Sequence, residues 1–260
     1  MKQELIYFIV IILANTIGSI SGMGGGVIIK PIFDYIAFDS VMTTSFYSSV
    51  AVFVMSIVST IRQVQAGHKI DFVIIFNLAL GSIIGGYLGS LTFDYLLSLS
   101  GPQNSQLVQI ILTIVVLIFS ILSTKNIFKQ YFLRKIYWYY SAGIILGFLS
   151  SFLGIGGGPI NVAVFIIFFG IPIKIATVYS ITTILFSQFS KIFSLLIFSN
   201  FNDYNYRVLI YIICAGALGG LLGAKFSSVL SENKVSFIFQ IVVLLVLFLN
   251  FYNLFLLLVR

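Results

Sequence analysis

Apolar residues run almost unbroken over 5–22, 40–61, 71–92 and 106–124, and again over 137–154, 174–199, 207–227 and 236–258. Each run approaches the ~20 residues that a helix needs to cross a bilayer. The pattern therefore predicts long membrane helices in two sets of four. After the first run of each set comes a shorter apolar piece, 25–38 and 158–170, with the length of a half-helix, a re-entrant segment or a short tilted span. The only strongly polar connection is Lys125 to Lys135, with Lys125, Lys129, Arg134 and Lys135 and no acid. It divides an N-terminal transmembrane repeat, 1–124, from a C-terminal one, 137–260, through a basic linker, 125–136, within one integral membrane domain.

Glycine separates each first run from its short piece. GMGGGV, Gly22 to Val27, returns as GIGGGP, Gly154 to Pro159. Such runs break helices and expose bare backbone, which a bilayer tolerates only where protein or a polar cavity surrounds it. Paired breaks in corresponding positions of two halves are the sequence mark of a transport site.

The repeat extends beyond glycine. The offset of 132 residues that carries Gly22 to Gly154 also carries Ser45, Tyr47 and Ser48 to Thr177, Tyr179 and Ser180. Further on, Gly85, Gly86 and Gly89 face Gly219, Gly220 and Gly223 after a two-residue slip, and these glycines are read as close-packing surfaces. If each short piece crosses, the second copy is inverted. The cytoplasm then receives Arg62, Lys69, the linker cations, Lys174, Lys225 and Lys234, leaving Lys2, Arg207 and Arg260 outside. If it does not cross, the last three lysines and the three outer cations change places, and the totals are equal. With the termini set aside, inversion leaves only Arg207 outside and is favoured. The expected fold is thus all-α: a polytopic helical membrane protein of two related halves, inverted-topology repeats with Gly-broken helices.

Composition agrees with lipid. The 260 residues are 60% hydrophobic and 8% charged, against roughly 45–50% and about 25% in soluble domains. A net charge of +7 without a basic stripe on a polar helix orients a membrane protein and does not point to nucleic acid. One cysteine, Cys214, and one histidine, His68, exclude an internal disulfide and a Cys/His metal site. The start reads as a first span and not a cleaved signal, because the apolar run continues into a segment that the second half repeats.

The chemistry is sought inside the spans. Gly24, Gly25 and Gly26 with Gly156, Gly157 and Gly158 are expected to turn amide N–H groups toward an anion at the N-termini of the following helices. Neither run carries the lysine and hydroxyl of a nucleotide loop, and no cofactor is expected. Ser45, Ser48, Ser56 and Ser59 share one helical face, and their counterparts Thr177, Ser180, Gln188 and Lys191 form a more polar version of it. Such a stripe faces other helices or a wet path, or its hydroxyls bond to their own helix. Lys191 lies well inside its span with no nearby acid. Lys30, four residues after the first glycine run, is a second candidate unless it snorkels to an interface. Asn161 joins the set. Glu4, Asp34, Asp39, Asp71, Asp94, Asp203 and Glu232 all fall near segment ends, so no mid-membrane proton carrier is expected. No general-base pair or nucleophilic triad is visible, and no enzyme is expected.

With GMGGGVIIKP and GIGGGPINV in its two halves, the chain resembles the sulfite exporter TauE/SafE family, also described as 4-toluene sulfonate uptake permeases, over nearly its whole length. The resemblance implies a multi-pass plasma-membrane transporter of small sulfur-containing or organic anions. It places the six motif glycines at matching positions. Pro31 matches a proline common after the first run, but its counterpart is Ala163, so the halves need not bind symmetrically. The expected partners are a small anionic substrate, the lipid bilayer and a coupling ion, with no nucleic acid. An anion channel with the same stripe, and a membrane assembly factor without a transported substrate, are the rival readings.

Overall fold

In the computed structural model, residues 2–36, 38–66, 71–125, 129–198 and 205–259 are described; His68, Lys69, Asp203 and Arg260 lie outside them. The described chain is helical: α1 (Lys2–Ser21), α2 (Gly26–Ile36), α3 (Val41–Gln65), α4 (Phe72–Thr124), α5 (Ile136–Leu153), α6 (Gly158–Phe169), α7 (Ile173–Phe198), α8 (Tyr206–Val229) and α9 (Glu232–Val259). The apolar runs reappear as helices, with one difference. Residues 93–105, where hydropathy falls, are helical apart from a sharp bend at Gly101, φ 73° and ψ 173°, just before Pro102. Phe93, Leu96 and Leu97 pack on the core there, and Ser105 Oγ donates to the Gly101 carbonyl at 2.8 Å. A straight helix of 53 residues would be about 80 Å long. That far exceeds the bilayer core, so the two arms of α4 serve as separate spans.

Polarity is arranged for a lipid solvent. Phe76, Phe248 and Ile210 are 63%, 72% and 63% exposed, while Asn15, Ser48, Ser59, Ser82, Asn161 and Thr183 are fully buried. A soluble protein gathers its large apolar side chains inside; here many of them cover the outside, and among the described residues six helices are long and apolar enough to cross a membrane.

The halves interlock through glycine. α5 packs against α4, and α1 against α8. A methyl added at Gly85 or Gly89 would strike the Ile144 or Phe148 carbonyl of α5; at Gly219 or Gly223 it would meet the Ile12 or Thr16 carbonyl of α1 at 3.0 and 2.6 Å. Gly86 likewise abuts the Ser187 carbonyl at 2.9 Å, and Gly220 that of Met55 at 2.8 Å. The partners Ile12, Thr16 and Met55 map onto Ile144, Phe148 and Ser187 by the same 132-residue offset. The packing glycines thus make equivalent contacts with the halves exchanged. We expect Gly85→Ala to cost about 1–3 kcal/mol, the usual penalty for overpacking, read as a lowered melting temperature in detergent; Gly101→Ala, with nothing within 4 Å of its Cβ position, meets only its φ penalty.

The linker is also tied down. Tyr131 and Leu133 N–H groups donate to the Ile167 and Phe168 carbonyls, both at 2.8 Å, so its described part lies along the end of α6.

Candidate functional site

The two glycine runs end one helix and begin the next by the same backbone device. Gly22 and Gly24 have φ of 72° and 69°; Gly154 and Gly156 have 68° and 81°, and Gly157 adds 66°. Only glycine adopts such angles without strain, so each run can reverse the chain within a few residues. In the first loop the Met23 and Gly24 N–H groups fold back to the Gly18 carbonyl at 2.9 and 3.2 Å.

The loops cross each other at the centre of the molecule. A methyl at Gly26 would meet the Ile155 carbonyl at 2.6 Å, and one at Gly158 would collide with the Met23 backbone. Met23 and Ile155 are counterparts, as are Gly26 and Gly158. Val52 of α3 and Ile184 of α7, another matched pair, close one side, 3.4 and 3.2 Å from the Gly24 Cβ position. Gly25 is crowded by the Asn15 side chain. Asn15 is itself held by an Nδ2 bond to the Ala51 carbonyl at 3.1 Å.

The polar stripes touch this crossing at Ser45, Thr177 and Ser180, and all eight of their members are buried. A methyl at Gly22 would strike Thr177, and one at Gly154 would come 2.8 Å from Ser45 Oγ, again a reciprocal pair. Ser180 Oγ donates to the Gly22 carbonyl at 2.6 Å. Its counterpart Ser48 is fully buried with an unpartnered Oγ. Ser59 pairs with Ser19 at 2.6 Å. Ser56 and Thr177 instead bond to carbonyls of their own helices, the local alternative open to any helical hydroxyl.

The charges converge on Gly154. Lys191, 2% exposed, donates from Nζ to Ser45 Oγ at 2.7 Å. That Nζ and Lys30 Cδ each lie 3.4 Å from the Gly154 Cβ position. Lys30 does not snorkel: its Nζ pairs with Asp34 Oδ2 at 3.1 Å, and the two side chains are 5% and 6% exposed. Asp34 lies near the end of α2, as expected from the sequence, with its side chain buried against Lys30. Asp94 on α4 acts on Lys191 at longer range, but the direct partner of Lys191 is a neutral hydroxyl. At contact distance, then, Lys30 has a carboxylate partner and Lys191 has only a hydroxyl.

Several buried hydrogen-bonding groups are unmet. Asn161, on the first turns of α6, is fully buried, and neither of its amide atoms has a partner. Gln188 donates from Nε2 to Ser150 Oγ at 3.0 Å, and Ser150 pairs with Ser187 at 2.8 Å, yet Gln188 Oε1 is unpartnered. Gln109 Nε2 holds the Phe152 carbonyl at 2.6 Å, and its Oε1 is likewise unpartnered. A buried polar group left unmade costs ~1–3 kcal/mol, and a cluster of them marks a place for a ligand or water. Asp34, Gln109, Ser150 and Ser187 were not singled out from the sequence. Ser150 could have been, since it stands at the counterpart of Gly18 before the second glycine run.

Two cavities meet at Asp34. An outer one of about 130 Å³ is lined by Asp34, Asp39, Gln106 and Asn253 among others; an inner one of about 10 Å³ is lined by Lys30, Asp34, Gln109, Thr113, Asn250 and Ile155 among others. Another cavity, of about 410 Å³, is lined in part by Ile166, Ile171 and Ile173, the counterparts of Asp34, Asp39 and Val41. Related ends of the two halves thus carry cavities of different character, one acidic and one apolar at the matched positions.

Comparison with known proteins agrees with this architecture. Residues 7–250 match the sulfite exporter TauE/SafE family. The chain is 23% identical over 269 residues to a probable membrane transporter protein, YunE, of Bacillus subtilis (strain 168), covering 90% of this chain and 92% of that relative. No solved structure matches. The chain belongs to the sulfite exporter TauE/SafE family and is a multi-pass membrane transporter.

Proposed function

We propose that the protein is a secondary carrier of small anions, sulfite, sulfonates or related sulfur oxyanions foremost, working by alternating access in the plasma membrane. The observation that carries this reading is the meeting of the Lys30 and Lys191 side chains beside Gly154, with Lys30 paired to Asp34 and Lys191 paired directly only to a serine hydroxyl. A buried ammonium without a charged partner is costly by several kcal/mol, and an anion seated there supplies the partner. Gly24 to Gly26, Gly156 to Gly158, Ser45, Ser48, Thr177, Ser180, Gln188 and Asn161 supply the surrounding amides, hydroxyls and carboxamides.

The closed centre favours a carrier over a channel. The loops abut backbone to backbone, Val52 and Ile184 close one side, and the inner cavity is water-sized. The exchanged glycine contacts support two inverted repeats that rock against each other, opening the cavities at the ends of α2 and α6 in turn.

The test is exchange in proteoliposomes. Labelled sulfite, thiosulfate or methanesulfonate should enter saturably and faster when unlabelled anion is loaded inside; no movement of any of them, or currents at diffusive rates, contradicts a carrier. Asn161→Leu removes an unmet amide and is expected to raise the melting temperature by a few degrees, as a gain of ~1 kcal/mol would, while weakening anion binding about tenfold. Melting curves with and without thiosulfate check both effects.

A further inference from the structure

We propose that a divalent anion is carried together with one proton, and that Asp34 holds that proton. The inference rests on the anion-carrier reading above and adds the coupling ion to it.

The geometry gives Asp34 two neighbours of different kinds. Inward, its carboxylate is the charged partner of Lys30 at 3.1 Å, and the Lys30 side chain runs past Gly154 beside the Lys191 Nζ. Outward, the same carboxylate lines the cavity of about 130 Å³ next to Tyr35, which is exposed. Asp34 also lines the inner cavity of about 10 Å³, enough for about one water. A single side chain thus joins the binding centre to a compartment that water can fill.

Charge decides what happens when an anion arrives. Empty, the centre holds two ammonium groups and one carboxylate. A divalent anion between Lys30 and Lys191 neutralises both lysines, and a charged Asp34 then becomes a buried carboxylate with no cation of its own. Burying such a charge is strongly unfavourable, and a group so placed takes up a proton instead. The balance is simple: Asp34 gains one proton from water in the outer cavity as the anion replaces it at Lys30. When the anion leaves on the other side the proton is released, and the Lys30–Asp34 pair re-forms. Uptake breaks an O–H bond of a hydronium ion in the outer cavity as the O–H of Asp34 forms, and release returns the proton to water on the side to which the anion leaves.

The other groups facing Asp34 do not supply an alternative cation. Asp39 shares the outer cavity and is held by Gln3 Nε2 at 2.9 Å and Tyr7 Oη at 2.7 Å from α1. Tyr47 of α3 stands edge-on to Tyr7, and Tyr252 of α9 lies against Tyr35. α4 contributes Gln106 and Gln109, and α9 contributes Asn250 and Asn253, all neutral; Asn253 Nδ2 donates to the Pro31 carbonyl at 3.0 Å. The counterparts of Lys30 and Asp34 in the second half are Val162 and Ile166, so the device is present once.

The experiment uses the full-length protein in liposomes with a trapped pH dye and ³⁵S-thiosulfate, a divalent anion that does not buffer near neutral pH. The wild type should move protons with thiosulfate and accumulate it about tenfold more when a proton gradient is imposed, within the usual range of coupling between two ligands. Asp34→Asn should exchange thiosulfate at a reduced rate and, per anion moved, lose both the proton signal and the gradient response. Asp34→Glu should keep both, which separates a need for an acid from a need for shape. Wild-type counterflow without proton movement overturns the inference, as does an Asp34→Asn protein that still answers the gradient. A wild type that exchanges only singly charged anions overturns the divalent claim; one that exchanges no small anion overturns the carrier reading beneath it.

Discussion

Gly158→Ala is expected to abolish transport and to lower thermal stability more than any other alanine substitution in the two motifs. The added methyl would occupy the position of the Met23 backbone, and backbone cannot rotate away as a flexible side chain can. Overpacking of this kind costs up to about 3 kcal/mol when a site can shift, and here a shift would separate the loops. Gly26→Ala, against the Ile155 carbonyl at 2.6 Å, should fail in the same way. Gly156→Ala is a useful contrast. Its nearest neighbour is the Val52 side chain at 3.3 Å, with φ of +81°, so it pays the strain of a left-handed residue, about 1–3 kcal/mol, without a backbone collision. Melting temperature and counterflow measured on all three would rank the crossing contact above the turn geometry; equal losses would mean that the turns alone matter.

Much of this was legible in the chain. The hydrophobic runs located the helices, because a span needs about twenty apolar residues wherever it lies. The offset of the two glycine runs marked the paired breaks, and the stripes on α3 and α7, expected to face other helices or a wet path, are buried. What the sequence could not convey was reciprocity. Gly26 against Ile155 and Gly158 against Met23 are contacts between residues more than a hundred positions apart, and nothing in either motif names its partner. Asp34 is near a segment end as expected, ninth in a helix of eleven; the sequence could not show that the packing of α2 among other helices buries its carboxylate against Lys30. Residues 93–105 fell between two of the predicted runs because Asp94, Ser98, Ser100, Gly101 and Pro102 interrupt the hydropathy. Helical hydrogen bonding tolerates those residues on both sides of one glycine bend. Hydroxyls such as Ser56 and Thr177, which satisfy themselves on their own helices, cannot be told in sequence from Ser48, which does not.

Lys191→Met should weaken anion binding by about 2–5 kcal/mol, the cost of removing one partner of a buried charge pair, or roughly thirty-fold or more. A structural role predicts that the empty protein loses stability with it. The present account predicts the opposite for the empty protein. Lys191 is 2% exposed and donates to a neutral serine, so replacing it with an apolar side chain of similar length removes a poorly compensated buried charge, a change that is often neutral or stabilising. The signature is therefore a melting temperature at or above that of the wild type without ligand, and a lost thermal shift on adding thiosulfate. Destabilisation without ligand together with an intact thiosulfate shift would remove Lys191 from the site.

The central claim, that the crossed glycine loops and the two lysines hold the anion, is tested most directly by locating one. Crystals soaked with a selenium analogue of the transported oxyanion, with data collected at the selenium absorption edge, should show an anomalous peak within hydrogen-bonding distance of both Lys191 Nζ and Lys30 Nζ, beside Gly154. A peak elsewhere in the protein, or none at concentrations that saturate transport, would contradict it.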